Sequence, residues 1–220
     1  YGIVYKVLHG DPGAQPVWEQ LDTFLQKKFK YLSKEELGIA CTFIDTGGHH
    51  TEEAYDFIYS REWRNIHGIK GIGGSGKTVI NTAKKTRRDN GKDIVLISLG
   101  VNALKDITCS SLRREHQENG CCFYPDDISR GYGEKYFQSV TGEKKQTKVL
   151  RGVTTIEWVK LRANEAFDIR NYATAAMIYM NPNFEKLKEM NREKLAKLSE
   201  PHKITKVKKS KRILSKGVKM

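Results

Sequence analysis

The 220-residue chain carries 39 Lys and Arg against 26 Asp and Glu, a formal net charge of +13, with 38% apolar and 30% charged residues. That apolar share suffices for one ordinary core, and the length allows one domain or a little more. No stretch approaches the roughly 18 apolar residues that span a bilayer, and no export segment opens the chain. Cys41, Cys109, Cys121 and Cys122 show neither a disulfide framework nor CxxC metal spacing, so a cytosolic protein with reduced thiols is expected.

The chain opens at Tyr1 inside an alternating run to His9, which predicts a strand and a piece whose upstream sequence is missing. Gly10-Asp11-Pro12-Gly13 is a turn, and Pro16 suits the first position of a helix. Val17, Leu21, Phe24, Leu25 and Phe29 then give that helix one apolar face to about Lys30. Ile39–Ile44 is a nearly continuous apolar run, expected to be a strand buried on both faces at the centre of an α/β sheet. It ends in Asp45-Thr46-Gly47-Gly48, after which Thr51 is placed to cap a helix led by Glu52 and Glu53.

Trp63–Ile69 and Asp93–Ser98 read as strands, and Asn102–Gln117 as a helix with Leu104, Ile107, Ser111 and Leu112 on one side. Val149–Leu150 and Thr154–Leu161 are able to pair as a hairpin across Arg151-Gly152. The segment Ala163–Met180 is a helix, with Ile169, Tyr172, Ala173, Ala176, Met177 and Met180 as its inward stripe. Strands alternating with helices indicate an α/β fold.

Charge is concentrated at one end. Pro201–Met220 holds eight basic residues and no acid, leaving +5 for the rest. Such a tail, disordered when free, either binds phosphate backbones by counterion release or is simply a solvated terminus.

Gly71–Thr78 (GIGGSGKT) fits the phosphate-loop pattern G-x-x-x-x-G-K-[ST]. A working loop needs an apolar strand before it, an apolar-periodic helix after it and a later strand ending in an acid. The following Val79–Asp93 has almost no apolar face, and the strand after it ends in Ser98-Leu99-Gly100. A P-loop nucleotide hydrolase is therefore the lesser reading, and a flexible Gly/Ser/Lys loop that touches DNA the better one.

The carboxylates are more informative. Asp45 stands at the carboxyl end of a strand, where open α/β sheets place their ligand crevice, although an Asp there also caps turns. Glu165 extends the inward stripe of the last helix by one turn, and Asp168 sits at its edge. Inward acids are costly unless paired or metal-bound. A strand-end Asp with helix acids has the ingredients of a two-metal hydrolytic site, with Arg162 and Arg170 as the bland salt-bridge alternative. A further strand carboxylate would be needed, and none stands out. His49 and His50 follow the Gly-Gly turn as candidates to touch a phosphate.

Taken together, Gly10-Asp11-Pro12, Val17-Trp18, Leu21-Asp22, Ile44-Asp45-Thr46-Gly47-Gly48, Tyr55, Ile69-Lys70-Gly71, the segment from Leu99-Gly100 to Leu112, Phe123-Tyr124-Pro125 and Asn164-Glu165-Ala166-Phe167-Asp168 with Tyr172-Ala173 and Ala175-Ala176 occur in one order. In this the chain resembles the C-terminal nuclease domain of tailed-phage terminase large subunits of the lambda GpA type. The resemblance implies an RNase H-like mixed sheet flanked by helices over residues 1–180, its first strands missing, followed by a basic helical-to-disordered tail over 181–220. It implies an endonuclease using Mg²⁺ or Mn²⁺ to cut concatemeric double-stranded phage DNA during packaging. Asp45 and Asp168 become metal ligands, with Glu165 as a further catalytic acid. From position and charge, His49, Lys70, Lys77, Lys206, Lys208, Lys209, Lys211 and Arg212 are the candidate DNA contacts. Implied partners are the terminase small subunit and the portal protein, and the implied location is the host cytoplasm at the procapsid portal. A non-catalytic basic DNA-binding module remains the third reading.

Overall fold

The computed structural model describes residues 1–30, 36–116, 118–150 and 152–199. The described residues fall into two units, one over Tyr1–Asn181 and a second that begins at Pro182. Among the described residues no helix is long and apolar enough to cross a membrane.

In chain order the first unit comprises α1 (Gln15–Leu25), β1 (Phe29–Lys30), β2 (Glu36–Leu37), β3 (Thr42–Asp45), α2 (Thr51–Tyr59), β4 (Ile66–Ile72), β5 (Ile80–Thr86), β6 (Ile94–Gly100), α3 (Val101–Arg113), α4 (Glu134–Val140), β7 (Glu143–Leu150), β8 (Val153–Lys160) and α5 (Glu165–Met180). In the second unit Phe184–Ser199 forms α6. The central sheet has the order β3-β4-β6-β5, with β3, β4 and β6 parallel and β5 antiparallel. This four-stranded mixed sheet flanked by helices is consistent with the RNase H-like nuclease fold.

Side-chain alternation along the strands assigns each residue to a face. On one face Ile66 and Ile94 pack with Tyr55, Phe57 and Ile58 of α2 and with Trp18, Leu21 and Leu25 of α1. On the other, Ile69, Ile97 and Leu99 pack with Leu104 of α3 and Ala175 of α5. Ile69 and Ile97 are fully buried, which stabilises the fold by about 1.5–3 kcal/mol for each side chain. Gly68 permits the approach of α2, since a Cβ there would lie 2.7 Å from Leu96 and 3.3 Å from Ile58.

Several expectations change. Tyr1–His9 is not a strand; Gly2 and Tyr5 donate their N–H groups to the carbonyls of Phe123 and Arg130, which fix the segment along a loop. The first helix stops at Leu25. Strand β3 is shorter than the apolar run and half-buried, because it pairs with β4 alone and forms an edge of the described sheet. His50 precedes α2 without a side-chain cap, and the Thr51 hydroxyl instead donates back to the carbonyls of Thr46 and Gly48. Helix α4 had no periodic signal long enough to reveal it. In α3 the buried residues are Leu104 and Thr108, whereas Ile107 is exposed. The hairpin β7–β8 pairs Val149 with Thr154 as expected, closes with Leu150 opposite Val153 and runs on to the pair Glu143 and Lys160.

The stripe on α5 is rotated from its expected position. Ala166, Phe167, Asn171, Ala175 and Ala176 are buried, while Ile169, Met177 and Met180 are exposed. Small alanines let α5 approach the sheet, and Asn171 accepts a 2.6 Å hydrogen bond from the buried Thr108 hydroxyl of α3. A count of apolar residues alone passes over that polar anchor.

Candidate active site

Asp45 ends β3 on the face that carries Ile69, its register partner, and so on the side of α5. Its Oδ1 accepts the Gly47 N–H at 2.9 Å, an Asx turn that holds the carboxylate at the strand end. Its Oδ2 accepts the Tyr172 hydroxyl at 2.9 Å. Tyr172 lies one helical turn after Asp168 on α5, so both side chains share a face of that helix. Asp45 and Asp168 therefore lie on the same side of the sheet, one at the carboxyl end of β3 and the other in the first turn of α5.

Asp168 is half-buried, and burial is the main cause that raises its pKa above the ordinary carboxylate value. The negative charges of Glu143 and Asp45 raise it further, while Lys105 and Lys160 oppose the shift. Tyr172 is likewise pushed up, by burial first and then by Asp45, so its hydroxyl stays a donor at neutral pH.

Glu143, at the start of β7, is the acid that sequence reasoning missed. Its side chain is only 5% exposed and pairs at 2.6 Å with Lys105 of α3, itself 13% exposed. In the sequence it stands among Lys144, Lys145 and Lys148 and reads as part of a solvated charged run. The available signal was Gly142: a Cβ there would lie 2.6 Å from the Ala163 carbonyl, so only glycine lets the hairpin base touch the approach to α5.

Glu165 falls outside this group. It is the first residue of α5 but turns outward, 66% exposed, with Lys160 at 3.9 Å. The expectation that it shares the buried face fails because the helix packs through Phe167, Asn171 and Ala175 instead. His49 is exposed in the turn after Asp45. Lys70 is exposed on β4 one residue beyond Ile69, hence on the α2 face of the sheet. Lys206, Lys208, Lys209, Lys211 and Arg212 lie outside the described residues.

The phosphate-loop reading is overturned by the segment after Thr78. Ile80–Thr86 forms β5, an antiparallel strand on β6, where a nucleotide loop requires the N-terminus of a helix. Gly71 is still inside β4. The loop Gly73–Val79 leads from β4 past the end of β6, and Gly100 donates its N–H to the Val79 carbonyl at 3.0 Å. Gly74–Lys77 then line a cavity of about 520 Å³ with Asn102, Asp106 and Trp158.

The hard carboxylate oxygens of Asp45 and Asp168 suit Mg²⁺ or Mn²⁺ in kind. In number they are a partial set: among the described residues no three His, Cys, Asp or Glu side chains are grouped closely enough to hold a metal ion.

Residues 1–195 match the family model described as the terminase large subunit gpA endonuclease domain. The chain belongs to this family. A relative, the terminase large subunit of Enterobacteria phage P21, is 25% identical over 177 residues, covering 78% of this chain and 27% of the relative. The chain thus spans about a quarter of that relative's length. No solved structure gives a significant match. Membership of that family makes the chain an endonuclease domain by kinship.

Proposed function

We propose that this gpA-type domain cuts concatemeric double-stranded phage DNA by metal-dependent phosphodiester hydrolysis, with Asp45 and Asp168 as ligands of Mg²⁺ or Mn²⁺. The supporting observation is the Tyr172 bridge, which ties Asp45 to the helix face that bears Asp168. Two acids so gathered, one of them half-buried with a raised pKa, favour a cation beside them. A divalent ion there would polarise the phosphoryl group and supply hydroxide at neutral pH, and a second would stabilise the leaving oxygen.

The chain's own residues hold the pieces in place. The Gly47 N–H and the Tyr172 hydroxyl fix the two oxygens of Asp45. Lys77, on its Gly-rich loop, and the basic tail with Lys206, Lys208, Lys209, Lys211 and Arg212 neutralise backbone phosphates without reading sequence. His49, exposed beside the Asp45 turn, is within the same loop and serves as a phosphate contact. Glu165 contributes at most at the rim, given its outward position. In the whole protein the small subunit and the portal are the proposed partners, with packaging at the procapsid in the host cytoplasm as the setting.

The test is nicking of supercoiled plasmid by the full-length protein with Mg²⁺ or Mn²⁺. Asp45→Ala abolishes nicking while DNA binding without metal persists. Undiminished cleavage by Asp45→Ala rejects the assignment.

A further inference from the structure

Two carboxylates, those of Glu143 and Asp168, are joined by one amide. The Nδ2 group of Asn164 donates to Glu143 Oε1 at 2.6 Å and to Asp168 Oδ2 at 2.8 Å. Both of its hydrogens are thereby spent on carboxylates. Lys105 Nζ holds the other oxygen of Glu143 at 2.6 Å. The chain Lys105–Glu143–Asn164–Asp168 thus links α3, the hairpin base and the first turn of α5.

Asn164 is the N-cap residue of α5, and its side chain makes no capping bond. Asparagine is favoured at that position because its oxygen accepts a free N–H of the first turn. Here the side chain, only 7% exposed, forgoes that bond and turns its amino group to the two acids. Gly142 makes the arrangement possible, since any side chain there would strike the Ala163 and Ser139 carbonyls at 2.6 and 2.9 Å. Lys105 is further seated 5.9 Å from the Trp158 ring, which packs on Phe167 beside Asp168.

We propose that Glu143 is a positioning residue, locked by Lys105, which orients the Asp168 carboxylate through the Asn164 amide. Both oxygens of Glu143 are engaged, one by Lys105 and the other by Asn164. This rests on the reading of Asp168 as a metal ligand. Partners that orient a ligating carboxylate commonly matter 10- to 100-fold for metal affinity.

The experiment titrates Mn²⁺ into nucleotide-free full-length protein and counts free Mn²⁺ by electron paramagnetic resonance. The binding that Asp168→Asn removes defines the site. Glu143→Ala and Asn164→Ala should each weaken that binding by about tenfold. The double variant should be no weaker than either single one, because both break the same chain. Losing Glu143 leaves Lys105 buried without its partner, so a companion pair, Lys105→Met with Glu143→Leu, removes both charges at once. It should show the same loss of Mn²⁺ affinity with unchanged metal-free DNA binding. Wild-type affinity in that pair, or additive losses in the double variant, overturns the positioning role. If Asp168→Asn removes the binding but Asn164→Ala does not weaken it, the positioning role alone fails. If Asp168→Asn leaves Mn²⁺ binding intact, the site reading fails and the positioning role falls with it.

Discussion

The Tyr172 hydroxyl donates to Asp45 Oδ2 at 2.9 Å across 127 residues of sequence. It ties the edge strand β3 directly to helix α5, alongside the packing of Phe43 on Tyr179. Replacing Tyr172 with Phe removes the donor and leaves the ring in place. The expected loss is about 1 kcal/mol of stability, read as a lower midpoint in urea unfolding. The Tyr172 phenol has a pKa raised above its unfolded value, so its contribution is present below about pH 10 and is lost as pH rises further. The gap between wild type and Tyr172→Phe should therefore narrow in strong alkali.

Asp168 behaves in the opposite sense to a stabilising carboxylate. Its folded pKa is raised, chiefly by burial, so the charged form is disfavoured by folding. Stability from this group is present when it is protonated and is lost as pH rises through its folded pKa. Asp168→Asn, which still accepts the Asn164 bond, should raise the melting temperature of the metal-free protein at pH 7 and abolish nicking. Calorimetry of metal-stripped samples checks the first outcome, and plasmid nicking the second.

Lys77→Ala discriminates between nucleotide and DNA readings of the glycine loop. The strand β5 after Thr78 offers no helix N-terminus to a phosphate chain. Any ATP binding by the full-length protein should be unchanged by this substitution. DNA affinity should fall, with the slope of log K against log salt reduced by about one. Filter binding at several salt concentrations measures both.

Gly100 lies at the junction of β6 and α3 beneath the glycine loop. A Cβ there would lie 2.4 Å from the Thr78 carbonyl and 3.0 Å from that of Lys77. Backbone atoms cannot yield as a flexible side chain would. Gly100→Ala should cost about 1–3 kcal/mol in denaturant unfolding, as overpacking does.

Much of the site was legible locally. An apolar run closed by Asp-Thr-Gly-Gly marks a strand end with a turn, because pleat and turn chemistry act within a few residues. The hairpin across residues 151 and 152 was legible for the same reason, as was the length of α5. Glu143 was not legible, since a glutamate among lysines looks solvated until the hairpin base is seen against Asn164. The stripe on α5 was misplaced because Asn171 is buried for a hydrogen bond and not for hydrophobicity.

By itself the sequence determined the α/β alternation, the strand-end acid at position 45 and the helix acid at 168, all set by short-range periodicity. Only the tertiary structure decided that β3 lies at a sheet edge, that Glu165 faces outward, and that Glu143 and Tyr172 join the acids. The physical reason is that strand order and helix rotation minimise the burial cost of the whole molecule, a sum over contacts far apart in the chain that no local window contains.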